Sequence, residues 1–147
     1  MKPLFLGLLL SCLFQSSRAQ LVGEWRNIYV RIAVHHQSDP VNVMEADVSN
    51  WEERLEIKPI RTHFNADGSY YSEYLNLKDS LVNRPTGAWT VKGDSLVMNQ
   101  RTPYAATYRY RLAVVGDIAV FNGNIDFNAD GNNDDVYYGI QKRVSAF

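Results

Sequence analysis

Short runs in which apolar and polar side chains alternate, broken by Gly, Asp, Asn and Pro, dominate the chain from residue 23 onward. A period of two is the mark of a strand with one buried face. Eight strands are predicted on this pattern, at 23–34, 54–64, 69–77, 87–91, 95–99, 104–115, 118–125 and 136–143. In the first, Ile28, Val30, Ile32 and Val34 share a face. Trp25 has the opposite parity and joins them only if a bulge intervenes. Pro59 interrupts the second and marks a bulge or an edge. The third sets Tyr70, Ser72 and Tyr74 against Tyr71, Glu73 and Leu75. The sixth sets Tyr108, Tyr110, Leu112 and Val114 against Thr107, Arg109, Arg111 and Ala113.

Most links between these runs are tight. Asn65-Ala66-Asp67-Gly68, Gly93-Asp94 and Gly116-Asp117 are turn sequences, and Pro103 punctuates another link. A polar loop, 126–134, precedes the last strand. No stretch has a 3.6-residue period long enough to predict a full helix. Ser49-Asn50-Trp51-Glu52 has capping-box spacing, which allows one helical turn between the first two strands. The long link there, 34–51, carries His35, His36, Pro40, Glu45 and Asp47, and is expected to be a functional or mobile loop. Sequential hairpins describe a meander. An eight-stranded meander removes its aggregation-prone edges by closing, so an all-β, antiparallel, up-and-down barrel of about eight strands is expected. A sandwich uses similar strands but needs longer links.

The first residues follow a different pattern. Lys2 precedes an apolar run, 4–10, extended by Leu13 and Phe14, and Ser17-Arg18-Ala19 forms a small-x-small cleavage pattern. A cleavable signal peptide, 1–19, is therefore expected, with one domain at 20–147 exported to the periplasm or outside the cell. The run is too short for a membrane span. A lipidated Cys12 is disfavoured, because apolar Leu13 and Phe14 would follow it. Of the 15 basic residues, Lys2 and Arg18 leave with the leader, so 13 face 16 acidic ones in the mature part. Without a basic patch, nucleic acid and anionic membranes are not expected partners. Cys12 is the only cysteine, so the domain is held by packing and sheet hydrogen bonds rather than by a disulfide.

Gly23-Glu24-Trp25 opens the first strand and Lys142-Arg143 ends the last. Gly87-Ala88-Trp89-Thr90-Val91-Lys92-Gly93-Asp94-Ser95-Leu96 forms a second Gly-x-Trp hairpin. Together these resemble the lipocalin superfamily, and in particular small secreted bacterial lipocalin-like proteins. The resemblance implies a barrel whose first tryptophan packs under a basic residue of the final strand, a pairing with a cation–π rationale. It also implies a non-catalytic binding protein for a small apolar or amphipathic molecule. The second lipocalin motif, of Thr-Asp-Tyr type, has no counterpart here. The avidin family also begins with a Gly-x-Trp strand, but its set of ligand-contacting tryptophans is not found.

Candidate ligand-binding residues are Trp25, Trp89, Tyr108 and Tyr110, with Arg109 and Arg111 as a carboxylate clamp if they point inward. Outward, the two arginines are ordinary solvated charges. Asp126, Asn128, Asp130, Asn132 and Asp134 follow the alternating oxygen pattern of a calcium loop, with Gly131 at the sharp turn. Tyr137 stands where the bidentate glutamate of an EF-hand would be. The competing reading is a plain turn, and the chain holds its own control: Phe64-Asn65-Ala66-Asp67-Gly68 repeats residues 127–131 letter for letter. The pentapeptide is expected to be a hairpin unit used twice, with carboxylates added only at the second copy. His35 and His36 alternate across a strand and are not expected to share a zinc ion. No nucleophile motif or phosphate-binding loop is present, so no enzyme activity is expected. The alternative to a carrier is a filled barrel whose surface contacts a secreted or envelope protein.

Overall fold

The computed structural model describes residues 17–36 and 39–145. Most of the predicted signal segment, Cys12 included, lies outside the described residues. The elements are α1 (Ser17–Leu21), β1 (Gly23–His36), β2 (Asp39–Asp47), α2 (Trp51–Leu55), β3 (Arg61–Phe64), β4 (Ser69–Leu75), β5 (Leu81–Asn83), β6 (Thr86–Lys92), β7 (Ser95–Thr102), β8 (Ala106–Val115), β9 (Ile118–Ile125) and β10 (Asp135–Ser145). Every pairing is antiparallel. The path β1-β3-β4-β6-β7-β8-β9-β10 closes on itself through β10 and β1, giving an eight-stranded barrel, while β2 and β5 pair beside it. The expected architecture is therefore the observed one. No helix among the described residues is long and apolar enough to cross a membrane.

Two local expectations are corrected. The 34–51 link is mostly strand. β1 continues to His36, and β2 folds back along its upper half, with Tyr29 opposite Asp47 and His36 opposite Asp39. Its alternation is weak because β2 lies outside the closed ring, bonded to β1, and among its described side chains Val41 and Val43 face solvent while Met44 and Ala46 turn in. Pro40 and the acidic residues suit such an edge. The second predicted strand shrinks to Arg61–Phe64. Residues 51–55 form the short helix α2, and Glu56 ends it in the left-handed region at φ 55°. The helix begins one residue later than the capping-box spacing suggests, with Asn50 at the N-cap, and Asn50 Oδ1 accepts from the Asp47 N–H instead.

The bulge that Trp25 requires is present. In the β1–β10 register Asn27 faces Gln141 and Tyr29 faces Ile140, so Ile28 is the extra residue. Parity flips there. Below the bulge Trp25 and Asn27 turn inward, and above it Val30, Ile32 and Val34 do so. One strand thereby serves two buried clusters. The lower one holds Leu21, Trp25, Phe64, Trp89, Leu96, Leu112 and Phe121. The upper one holds Val30, Ile32, Val34, Ala46, Trp51 and Ile125.

The lower end is shut by α1. Trp25 Nε1 donates to the Leu21 carbonyl at 2.7 Å. The Arg143 guanidinium lies 4.3 Å from the Trp25 ring centre and donates to the carbonyls of Val22 and Gln20. The basic residue over the first tryptophan is thus Arg143, while its neighbour Lys142 points to solvent.

Candidate functional site

Above the sealed end the barrel encloses a cavity of about 500 Å³. This is within the range of sites that hold small organic molecules. Inward positions of nearly every strand line it. Its floor is the layer directly above the Trp25–Arg143 pair, where Asn27 of β1 and Gln141 of β10 face each other. Gln141 Nε2 reaches Asn27 Oδ1 at 3.5 Å. Beside them Thr62 and Ser72 bond hydroxyl to hydroxyl at 2.8 Å. Nearer the mouth, Gln100 Nε2 donates to the Tyr104 carbonyl at 2.9 Å. The walls and roof are apolar and aromatic, with Val30, Ile32, Trp51 and Ile125 toward the upper end. Tyr104 and Phe127 are the most exposed lining residues and mark the mouth.

Six tyrosines line the cavity, at 70, 74, 104, 108, 110 and 137. Tyr110 is their hub: it lies parallel to Tyr108 at 6.5 Å, edge-on to Phe121 at 6.0 Å, and 5.4 Å from Tyr137. Burial pushes the Tyr70 phenol up to about 12 and raises those of Tyr74, Tyr108 and Tyr110. It also raises Tyr137 to about 12, with the hydrogen bond from Asn27 pulling the other way. These hydroxyls therefore stay neutral at physiological pH.

Gly139 makes room for this arrangement. On β10 the inward positions are Asp135, Tyr137, Gly139, Gln141 and Arg143, alternating with more outward ones. A Cβ at Gly139 would meet the Tyr137 hydroxyl and lie 2.8 Å from ring atoms Cε1 and Cζ. Gly139→Ala is expected to destabilise the protein by about 1–3 kcal/mol in urea denaturation, the usual range for overpacking. On a Tyr137→Leu background the same change should cost almost nothing, because the ring it strikes is gone. Equal costs on both backgrounds would place the clash elsewhere.

The structure sorts the predicted ligand-binding residues. Tyr108 and Tyr110 line the cavity. Trp25 and Trp89 are buried below it in the lower cluster, where Trp89 Nε1 donates to the carbonyls of Asn65 and Ser69. Arg109 and Arg111 are exposed on the outer face of β8, and Arg111 meets Asp94 at 3.2 Å. They form no inward clamp, since the tyrosine face of the same strand fills the interior and bare guanidinium groups would be costly to bury there. Reading strand parity missed Asn27, Gln100 and Gln141, because isolated polar residues within strands look outward-facing. The only signal was parity: Asn27 falls with Trp25, Gln141 with Tyr137, and Gln100 with Leu96 and Met98.

The 126–134 loop arches over one side of the mouth. Asp126 accepts the N–H groups of Asp130 (2.9 Å) and Gly131 (3.0 Å) on its two oxygens. Asn128 Oδ1 accepts from Asp130 N–H, and Asp130 Oδ1 from Asn132 N–H. Asn132 and Asp134 are exposed. Both carboxylate oxygens of Asp126, and one oxygen each of Asn128 and Asp130, thus accept the loop's own backbone N–H groups. Among the described residues, no three His, Cys, Asp or Glu side chains are placed to hold a metal. The loop is organised instead by Asp135, which is fully buried. One of its oxygens accepts the His35 N–H at 2.7 Å, and the other accepts those of Phe127 (2.7 Å) and Asn128 (3.2 Å). Asn128 Nδ2 adds a bond to the His35 carbonyl.

The fold and interior define a closed antiparallel β-barrel with a mixed polar and aromatic cavity, the frame of a binding or structural module. Against known proteins, no family model and no curated protein matches the chain.

Proposed function

We propose that this protein is an exported, lipocalin-like carrier of a small apolar or amphipathic molecule, acting without catalysis. The observation that carries the reading is the cavity of about 500 Å³, closed below and reached past Tyr104 and Phe127. A filled interaction module would use this interior for packing. Support for lipocalin likeness comes from the Gly23-Glu24-Trp25 strand with Arg143 stacked on its tryptophan. Export rests on the leader pattern alone. A cut after Ala19 removes Arg18, which lies over Trp89 and donates to the Ala66 carbonyl. It leaves Leu21, Trp25 and the carbonyls held by Arg143, so these contacts at the lower end are kept although the first three residues of α1 are lost.

The test is native mass spectrometry of the processed protein purified from its own host. A stoichiometric organic mass that survives gentle desolvation and leaves on denaturation is expected. A bare mass, together with pull-down of one envelope or secreted protein through the outer surface, would favour the interaction module.

A further inference from the structure

Exposed apolar side chains gather at the open end of the barrel. Leu77, Leu81, Val82, Tyr104 and Phe127 stand there, against Val115 and Val144 at the sealed end. Two links carry most of them, and every residue of 77–84 and of 101–105 is exposed. These links lie side by side. Leu81, Val82 and Arg84 face Thr102 and Pro103 across a surface groove, and Thr86 bonds Thr102 hydroxyl to hydroxyl at 2.6 Å. Tyr104 continues the patch into the mouth, because it also lines the cavity. A cluster of exposed apolar side chains rimmed by polar ones marks an interaction surface.

Charge is the second observation. The two links hold three cations, Lys78, Arg84 and Arg101, and one anion, Asp79, in a chain whose net charge is −1. The Arg84 guanidinium lies 4.2 Å from the Tyr71 ring centre, and the residue stays exposed. Lys58, in the neighbouring link, is paired with Glu52 at 3.0 Å and adds no net charge. The acidic 126–134 loop joins β9 to β10, across the ring from β4 and β6. One side of the mouth therefore combines apolar tips with positive charge, and the other is acidic. The three cations form no basic run, so the linear pattern alone points away from anionic membranes.

From these observations we infer that the 77–84 and 101–105 links dock the barrel, mouth first, on an anionic lipid surface. Leu81, Val82 and Tyr104 enter the boundary between headgroups and acyl chains, while Lys78, Arg84 and Arg101 meet the negative headgroups. Tyrosine suits that boundary, with an apolar ring and a polar tip. The acidic loop stays on the side turned from the surface, so the barrel sits tilted. The inference builds on the carrier reading: an apolar or amphipathic cargo partitions into a bilayer rather than into water, and docking beside the mouth shortens its path between the two.

Flotation with vesicles tests it, using the processed protein from its own host so that the apolar leader cannot bind lipid itself. Vesicles of phosphatidylcholine and phosphatidylglycerol in equal parts are compared with phosphatidylcholine alone. The anionic vesicles should bind at least about tenfold more tightly at low salt, as expected for a surplus of two cations near the surface. Added salt should shrink that margin, and Lys78→Gln combined with Arg101→Gln should erase it. Leu81→Ser combined with Val82→Ser should weaken binding to both kinds of vesicle at least about tenfold, because the inserted apolar area is lost. Val115→Ser, which removes an exposed apolar side chain at the sealed end, should change neither. All five positions are exposed, so the variants should melt with the parent protein. No preference for anionic vesicles, or an equal loss with Val115→Ser, overturns the inference. So does capture of a protein partner through this corner by a chain that binds no vesicle. Native mass spectrometry separates the two readings. Retained cargo without vesicle binding leaves the carrier reading standing, and vesicle binding by a protein that holds no cargo overturns the carrier reading alone.

Discussion

Trp25→Ala is expected to destabilise the barrel by about 3–5 kcal/mol, the range for removing a large buried aromatic side chain. That is a large fraction of the roughly 5–15 kcal/mol by which a domain of this kind is stable. The indole is fully buried and does three things at once. It fills the lower core beside Leu21, Phe64 and Trp89, satisfies the Leu21 carbonyl, and offers its face to Arg143. Alanine leaves a void, a carbonyl without its donor and a guanidinium without its platform. The melting temperature should fall on the order of 10–20 °C in a thermal scan. Arg143→Met keeps the aliphatic stem but loses the cation and its bonds to Val22 and Gln20, and should cost about 1–3 kcal/mol. In the double variant the two losses should sum to more than is measured, because both remove the same contact. Strict additivity would mean that the stacking contributes nothing.

Asp135→Ala is expected to cost about 2–4 kcal/mol, because three backbone N–H groups lose a charged acceptor. The carboxylate is sealed from water but sits shallowly at the rim, so penetrating water should relieve part of the loss. Burial, the largest single influence, pushes its pKa up. The hydrogen bonds from His35, Phe127 and Asn128 together outweigh it and hold the carboxyl below its reference value of 3.8. The folded-state value is therefore lower than the unfolded one. The stabilisation is complete above the unfolded value and is lost as pH falls through the folded value. Urea midpoints of the native protein should drop between about pH 5 and pH 2, and Asp135→Asn should flatten that acid limb. An unchanged slope would assign the acid sensitivity to other carboxylates. Since Asp135 ties the 126–134 loop to β1, the variant should also open the mouth, read as faster amide exchange at Phe127 and Asn128.

The barrel was legible because strand alternation and tight turns are local. The faces of β4 and β8 follow from side-chain parity alone, and Tyr70, Ser72, Tyr74, Tyr108 and Tyr110 are inward as parity requires. The need for a bulge near Trp25 was also legible, as a conflict of parity that only an extra residue could resolve. β2 escaped because an edge strand outside the closed ring buries little, so its apolar positions do not alternate cleanly.

The pentapeptide Phe-Asn-Ala-Asp-Gly shows where local reasoning stops. At 64–68 it makes a β-hairpin: Phe64 is buried, Asn65 and Ser69 close the turn, and Gly68 takes φ 88°. At 127–131 the same letters form part of a wider arch, with Phe127 49% exposed and Ala129 at φ 58°. The difference comes from Asp126 and Asp135, whose oxygens capture the N–H groups of the second copy and draw it toward His35, distant in the chain. The expectation of one hairpin unit used twice therefore holds at the first site alone.

The sequence by itself determined the all-β class, the antiparallel meander and the inward faces of the central strands, because these depend on neighbours a few residues apart. Tertiary structure alone decided that the barrel keeps a cavity, that Asn27 and Gln141 meet in its floor, and that Arg109 and Arg111 remain outside. Those outcomes depend on how side chains from strands distant in sequence share one closed interior. That volume is set by the closure of the sheet, and no single strand encodes it.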